Sequence, residues 1–292
     1  MRVFVTGASG QLGTALVQRF AGCDLVTPSH RDLDLQDGLR LRQAATAAHP
    51  DVIVNCAAFN LVDAAEERPQ EALAVNACAV RALARAAEDT GATLVHYGSD
   101  FVLDGTASSP YDETAEPAPR STYGASKLLG EWLALDAPKS YVLRVQSLFG
   151  SSRSFPGRRG SMDRILEGLE GGREVTVLTD RVITPGYVVD IAAATRHLID
   201  TGAPFGLYHC ANDGPTRWSE IAEELASLLG ITPNLRRVTT QELGLPARRP
   251  AYSAFSVARL ASTGFRMPEW RDALRRWLSA RDRPQRASSF HE

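Results

Sequence analysis

Arg2-Val3-Phe4-Val5-Thr6-Gly7-Ala8-Ser9-Gly10-Gln11-Leu12-Gly13 opens the chain and decides its fold class. The apolar run 2–5 reads as a buried strand. Glycines at 7, 10 and 13 mark a tight turn, and 11–20 then carries apolar residues at helical spacing. The same alternation recurs downstream. Strands are predicted at 24–27, 52–54, 93–97 and 141–143. Helices are predicted at 38–48, at 69–89 as one long alanine-rich segment, and at 121–135. Continuous apolar strands alternating with helices specify a parallel sheet covered on both faces, a doubly wound α/β fold of Rossmann type. Ligands of such sheets bind beyond the carboxyl ends of the strands.

After Gly150 the pattern loosens. Residues 151–160 are rich in Ser, Arg, Gly and Pro and read as a mobile surface loop. Helical pieces at 162–170, 189–199, 218–229 and 269–278, with strands at 175–177 and 207–209, are expected to complete the sheet and build a smaller C-terminal lobe over the site. The expected division is a dinucleotide-binding domain over 1–150, a mixed α/β substrate region over 151–280, and a disordered tail from Ala280, essentially 281–292.

Composition narrows the function. The 292 residues are 44% hydrophobic and 23% charged with a net charge of -2, which gives no field to recruit nucleic acid or an anionic membrane. Cys23, Cys56, Cys78 and Cys210 are scattered without a C-x-x-C pair, so neither a metal site nor a disulfide framework is expected, and each reads as a small buried hydrophobe. Met1 runs straight into a strand without the pattern of a secretory leader, and no apolar stretch approaches the ~18 residues of a membrane span. A cytoplasmic location is expected. Of 32 basic residues only two are lysines, Lys127 and Lys139.

The turn carrying Gly7, Gly10, Gln11, Leu12 and Gly13 stands where a dinucleotide pyrophosphate would meet a helix N-terminus. Glycine is also used in such turns for conformation alone. The repetition of strand-helix units downstream favours the cofactor. Cofactor choice rests on the tip of the second strand, where Pro28-Ser29-His30-Arg31 carries no acid before Asp32. Ser29, His30 and Arg31 suit a 2′-phosphate, which favours NADPH with NADH possible; Arg31 otherwise reads as one more surface arginine.

Tyr123-Gly124-Ala125-Ser126-Lys127 sets a phenol and an ammonium four residues apart, on one helix face. An ammonium beside a phenol is expected to lower its pKa from about 10 and fit it for proton transfer. A surface Tyr–Lys pair is the plain alternative, made improbable by the scarcity of lysine. Ser99, ending the fourth strand, is placed to hydrogen-bond a substrate carbonyl, or to serve as a turn serine. The G-x-S-x-G elbow of a hydrolase is absent.

With these residues the chain resembles the extended short-chain dehydrogenase/reductases, and within them the dTDP-4-dehydrorhamnose reductase family, over residues 1 to 280. The resemblance rests on the glycine turn, Leu33-Asp34-Leu35, Asn55 to Phe59 with Val62-Asp63, and Ser99-Asp100-Phe101-Val102-Leu103-Asp104-Gly105. It continues through Tyr123 to Lys127, Gly206-Leu207-Tyr208-His209 and Arg249-Pro250-Ala251-Tyr252-Ser253. It implies reduction of a 4-keto group on a nucleotide-activated deoxysugar. Tyr123 would protonate the oxygen, Ser99 (often Thr in the family) would hold it, and Lys127 would also grip the nicotinamide ribose. Asp34, Leu35, Ala57 and Ala58 would line the adenine and ribose side, and Val62, Asp100, Ser147 and Arg249 the substrate side. The chain departs from the family at Arg144-Val145-Gln146-Ser147, where Ser147 replaces an expected aromatic wall of the sugar pocket. Poor turnover of the rhamnose precursor, or a bulkier carbonyl substrate, is the corresponding expectation.

A non-catalytic NADP-binding regulatory subunit and an NAD-dependent sugar-nucleotide epimerase are the alternatives. Retention of Ser99, Tyr123 and Lys127 weighs against the first, and the Ser29–Arg31 tip against the second. A small-molecule nucleotide sugar is the expected partner, with a homodimer possible.

Overall fold

The computed structural model describes residues 1–150 and 160–281. The opening motif folds as β1 (Arg2–Thr6), a glycine turn and α1 (Gln11–Arg19). Then come β2 (Asp24–Val26), α2 (Gly38–Ala47), β3 (Val52–Asn55), the short helices α3 (Ala64–Glu67) and α4 (Pro69–Leu73), and α5 (Ala79–Thr90). β4 (Thr93–Ser99), α6 (Thr122–Leu135) and β5 (Ser140–Val145) complete the first half. The central sheet is 6-stranded and parallel, in the order β2-β1-β3-β4-β5 with Gly206–His209 outermost. The chain runs outward from β1 to β2 and then crosses back to β3. The crevice this reversal opens beyond the carboxyl ends of β1 and β3 is where such sheets hold nucleotides.

Strand alternation sorts the core into two layers. Val3, Val5, Val52, Val54, Val95 and Leu143 face one way, under α1 and the helix Val188–Thr201. Phe4, Ile53, Leu94 and Val142 face the other, under α2, α5 and the end of α6. Burial on both faces is why these strands read as continuous apolar runs.

The helix expected over 69–89 is interrupted. Between α4 and α5 the backbone makes a π-turn, Ala74–Cys78, around the buried Asn76. Asn76 Nδ2 donates to the Phe59 carbonyl at 3.0 Å and to Ser126 Oγ at 3.0 Å, while its Oδ1 accepts from Phe59 N–H at 2.9 Å. A Cβ at Gly130 would collide with the Asn76 carbonyl oxygen, so α6 crosses at the bulge where α6 has no side chain. π-bulges of this kind concentrate at functional sites.

The second half departs from expectation in one respect. Gly206–His209 joins the central sheet, but Val175–Leu178 pairs instead with Leu235–Val238 in a separate parallel ribbon. That ribbon, with the helices Ser161–Glu170, Trp218–Leu229 and Trp270–Arg281, encloses its own core of Leu166, Leu169, Val177, Ile221, Leu225 and Trp277. The last helix is longer than the predicted 269–278, so Ala280 and Arg281 are helical; the remainder of the expected tail, and 151–159 of the expected loop, lie outside the described residues. Arg276 grips Asp190 with both Nη atoms at 2.8 and 2.7 Å, and Asn212 Nδ2 donates to the same carboxylate at 2.7 Å, fastening the last helix to the start of Val188–Thr201. No helix among the described residues is long and apolar enough to cross a membrane. Of the cysteines, Cys210 is buried and Cys23 and Cys56 are partly so, whereas Cys78, at the end of the π-turn, is exposed.

Trp277 is buried where the last helix meets Phe149. Trp277→Ala is expected to lower unfolding stability in urea by about 3–5 kcal/mol, as aromatic truncation in a core does. Trp132→Ala, at a side chain 56% exposed on α6, should stay within about 0.5 kcal/mol of the parent.

Candidate active site

Four strands deliver the predicted residues to one end of the sheet. Gly7 follows β1, Ser29 to Arg31 follow β2, Ala57 and Ala58 follow β3, and Ser99 ends β4. Gly7 takes φ +66, and a Cβ there would lie 2.7 Å from Ala57 N. A Cβ at Gly13 would collide with the Gly7 carbonyl oxygen, so the turn closes on α1 only if both positions are glycine. Gly10 caps α1 through its backbone, with no side chain over the first-turn N–H groups, and Leu12 anchors the helix in the core. An uncapped helix N-terminus over a glycine cradle fits the diphosphate of a dinucleotide.

At the tip of β2, His30 and Arg31 are exposed, but Ser29 is already engaged. Its hydroxyl donates to Asp32 Oδ2 at 2.5 Å and its N–H to the same oxygen at 3.1 Å, which holds the Asp32 carboxyl below its ordinary range. Asp34 accepts from the Gln36 N–H at 3.0 Å, and Leu35 is half-buried against the α2–α5 core.

Tyr123 and Lys127 lie in the first turns of α6, which Ser121 caps by accepting from Gly124 N–H at 3.1 Å. A Cβ at Gly124 would collide with the Phe101 carbonyl, so the helix starts tight against the segment after β4. The Ser99 hydroxyl, which donates to Asp100 Oδ1 at 3.3 Å, stands close enough to the Tyr123 phenol to lower its pKa, and the Phe101 ring meets the tyrosine ring edge-on at 5.2 Å. Val62 packs in the same cluster with Phe59 and Tyr123. The expected lowering of the phenol pKa is not what the structure gives. Burial pushes Tyr123 up to about 12; the Ser99 hydroxyl opposes this, while Asp100 and Glu131 add to it. The Lys127 ammonium turns to the Tyr97 carbonyl at 2.5 Å, and burial brings it down to about 8 against the supporting charge of Glu131. At neutral pH the pair is therefore a neutral phenol beside a protonated amine.

Below them lies a buried ion pair that sequence reasoning missed. Arg144 on β5 meets Glu131 on α6 through Nε at 3.0 Å and Nη2 at 2.9 Å, with both side chains almost fully enclosed. A Cβ at Gly98 would collide with Glu131 Oε1, so the glycine in β4 makes room for the carboxylate. A glycine inside an apolar strand signals such close approach. Nearby, Thr6 Oγ1 donates to Asn55 Oδ1 at 2.6 Å, and Asn55 Nδ2 meets His96 Nδ1 at 3.1 Å, tying β1, β3 and β4 together. Burial and the charge of Lys127 hold His96 well below its ordinary pKa.

On the substrate side, two of the residues expected to touch the sugar have structural partners. Asp100 is buried, and its Oδ2 accepts from Gln146 Nε2 at 2.6 Å and Ser253 Oγ at 2.9 Å. Arg249 is forked onto Asp63, with Nη1 at 3.0 Å and Nη2 at 2.7 Å, and also donates to the Ala247 carbonyl. Ser147 has a left-handed backbone at φ 43, unusual for a non-glycine residue, because Gln146 before it is drawn inward to Asp100, Ser253 and Thr184. Arg181 had no signal in the sequence. It is buried, its guanidinium stands 5.6 Å over the Phe101 ring and 3.6 Å from Asp100, and its Nε donates to the Pro250 carbonyl at 3.2 Å. Burial depresses its pKa, opposed by Asp100.

In fold and site the chain is an extended short-chain dehydrogenase/reductase. Residues 1–282 match the RmlD substrate binding domain. A spore coat polysaccharide biosynthesis protein, SpsK, of Bacillus subtilis is 32% identical over 96% of this chain and 98% of its own length. A dTDP-4-dehydrorhamnose reductase of Streptomyces griseus is 36% identical over 94% of this chain and 91% of its own. The crystal structure of dTDP-4-dehydrorhamnose reductase from Bacillus anthracis in complex with NADP superposes with a TM-score of 0.89 at 32% identity, covering 96% of this chain and 99% of that one. The chain belongs to the RmlD substrate binding domain family.

Removing one partner of the enclosed Glu131–Arg144 pair strands the other charge. Glu131→Ala is expected to reduce unfolding stability by about 3–5 kcal/mol in urea titrations. The double variant Glu131→Leu with Arg144→Met should recover most of that loss.

Proposed function

We propose that this protein catalyses the NADPH-dependent reduction of the 4-keto group of a nucleotide-activated deoxysugar, as dTDP-4-dehydrorhamnose reductases do. The observation that carries the reading is the meeting of Ser99, Tyr123 and Lys127 at the end of β4, beside the glycine cradle. In this reading residues 1–150 hold the cofactor and 151–280 supply most of the substrate side. The first-turn N–H groups at Gln11, Leu12 and Gly13 take the diphosphate, with Gly7 and Gly10 allowing its approach. His30 and Arg31, with Ser29, meet the 2′-phosphate, and Asp34, Leu35, Ala57 and Ala58 line the adenine and ribose side.

NADPH, when bound, supplies the hydride. The chain's own residues manage the proton and the charge. Burial keeps Tyr123 protonated, the state a proton donor requires, and Ser99 orients the accepting oxygen through its hydroxyl. Donation leaves a phenolate, which the Lys127 ammonium offsets from the next turn of the same helix. Val62, Asp100 and Ser147 wall the substrate.

Conversion of dTDP-4-dehydrorhamnose with oxidation of NADPH tests the reading directly. Tyr123→Phe should retain cofactor affinity by fluorescence titration yet slow turnover by roughly 10²–10⁴-fold. Full turnover by that variant would remove the proposed proton donor, and failure of the wild type on every 4-ketosugar nucleotide would remove the reaction.

The pH profile supplies a second test. Lys127, depressed to about 8, loses its charge as pH rises through that value, while Tyr123, raised to about 12, stays protonated. Turnover should therefore fall with rising pH along a limb near pH 8. In Lys127→Met the residual rate should be lower and should lack that limb.

A further inference from the structure

Arg181, over the Phe101 ring, has Arg249 as a charged neighbour, and the two are not equivalent. Arg249 is satisfied: Asp63 takes both Nη atoms, and the Ala247 carbonyl takes Nη1 again. Arg181 is not. Its Nε serves the Pro250 carbonyl, Asp100 stands 3.6 Å from Nη2, beyond a good hydrogen bond, and among the described residues Nη1 makes none. Asp100 itself is shared among Gln146, Ser253 and the Ser99 hydroxyl, so its charge is spread over competing donors. The Arg181 side chain keeps 8% of its surface accessible.

The surroundings set where that surface points in the chemistry. One face of Arg181 covers Phe101, whose ring stands edge-on to Tyr123. Asp100 links it to Ser99, which stands beside the phenol. A donor fork with unused capacity and weakly balanced charge thus stands one short relay from the oxygen-binding pair. A partly desolvated guanidinium in that condition favours an anionic, multidentate oxygen acceptor over a neutral hydroxyl.

We propose that Arg181 is the phosphate-reading residue of the substrate site, taking an oxygen of the diphosphate that links sugar to nucleoside. Arg249 acts instead as a latch, holding the 247–250 loop to Asp63. This rests on the nucleotide-sugar reading above and deepens it. A sugar whose carbonyl lies at Ser99 and Tyr123 extends its anomeric phosphate one ring away, toward the Arg181 side of Phe101. Arg181 then discriminates nucleotide-linked sugars from free ketosugars, without touching the proton.

Calorimetric titration of thymidine and of thymidine diphosphate isolates the contribution of the diphosphate. In the wild type the diphosphate should bind much more tightly than the nucleoside. In Arg181→Gln that advantage should shrink by about 10- to 100-fold, the range for a charge-assisted hydrogen bond. Arg181→Lys should restore part of it, and thymidine affinity should be unchanged in both. NADPH titration and circular dichroism on each variant report an intact fold. Kinetically, KM for the sugar nucleotide should rise far more than kcat falls. If Arg181→Gln keeps the full advantage, or if Arg249→Gln alone abolishes it, the assignment is overturned. If the wild type shows the Arg181-dependent advantage but reduces no 4-ketosugar nucleotide, the reductase reading fails while the phosphate site stands.

Discussion

The enclosed pairing of Glu131 with Arg144 is the contact on which the rest of the site depends. It joins α6 to β5 across the end of β4, and it exists because Gly98 leaves the space that a side chain would fill. The Ser99 N–H also leans on Glu131 Oε1 at 3.4 Å, so Ser99 and the helix carrying Tyr123 and Lys127 share one anchor. The carboxylate acts on both titrating groups as well. It supports the Lys127 charge against burial and discourages ionisation of Tyr123. Position and protonation are thereby set by the same few atoms. Enclosed ion pairs are often no more stabilising than apolar packing; what this one contributes is geometry.

Much of this was readable from the chain alone, for identifiable reasons. Strands buried on both faces write themselves as apolar runs, and the glycine turn and the Tyr123–Lys127 spacing are local features. The first half of the fold and the nearness of Ser99, Tyr123 and Lys127 follow from those. The second half resisted reading because several of its strands, such as Val182–Ile183, Gly186–Tyr187 and Thr216–Arg217, are two residues long and carry no period. The π-turn left a trace, a polar Asn76 among alanines, and Gly98 left another inside β4. Arg181 and Gln146 left none, because their partners Asp100 and Ser253 are distant in sequence. The phenol went the other way from expectation because burial dominates, with Asp100 and Glu131 adding to it, while the Lys127 ammonium is turned to the Tyr97 carbonyl.

The preference for arginine gains meaning at the level of individual sites. Arg144, Arg249 and Arg276 each fork onto a single carboxylate across elements far apart in sequence, a task suited to a rigid planar donor that does not titrate. Lys127 has the opposite task. Its charge is compact and adjustable, and burial brings it to about 8, within reach of physiological pH. The buried lysine thus stands where an adjustable charge, and not a fixed one, sits beside the Tyr123 helix turn.

The place of Gly206–His209 in the sheet has a consequence for how the protein is made. This strand covers the outer edge, and the helix Val188–Thr201 shares one face with α1, of a sheet whose other strands end at Val145. A ribosome releases the chain in order, at about 5–20 residues per second. For several seconds the nascent chain therefore holds β1 to β5 with Val5, Val54, Val95 and Leu143 shielded only by α1. The segment emerging meanwhile folds largely into the other lobe. The central sheet is therefore completed only after part of the second lobe has been synthesised.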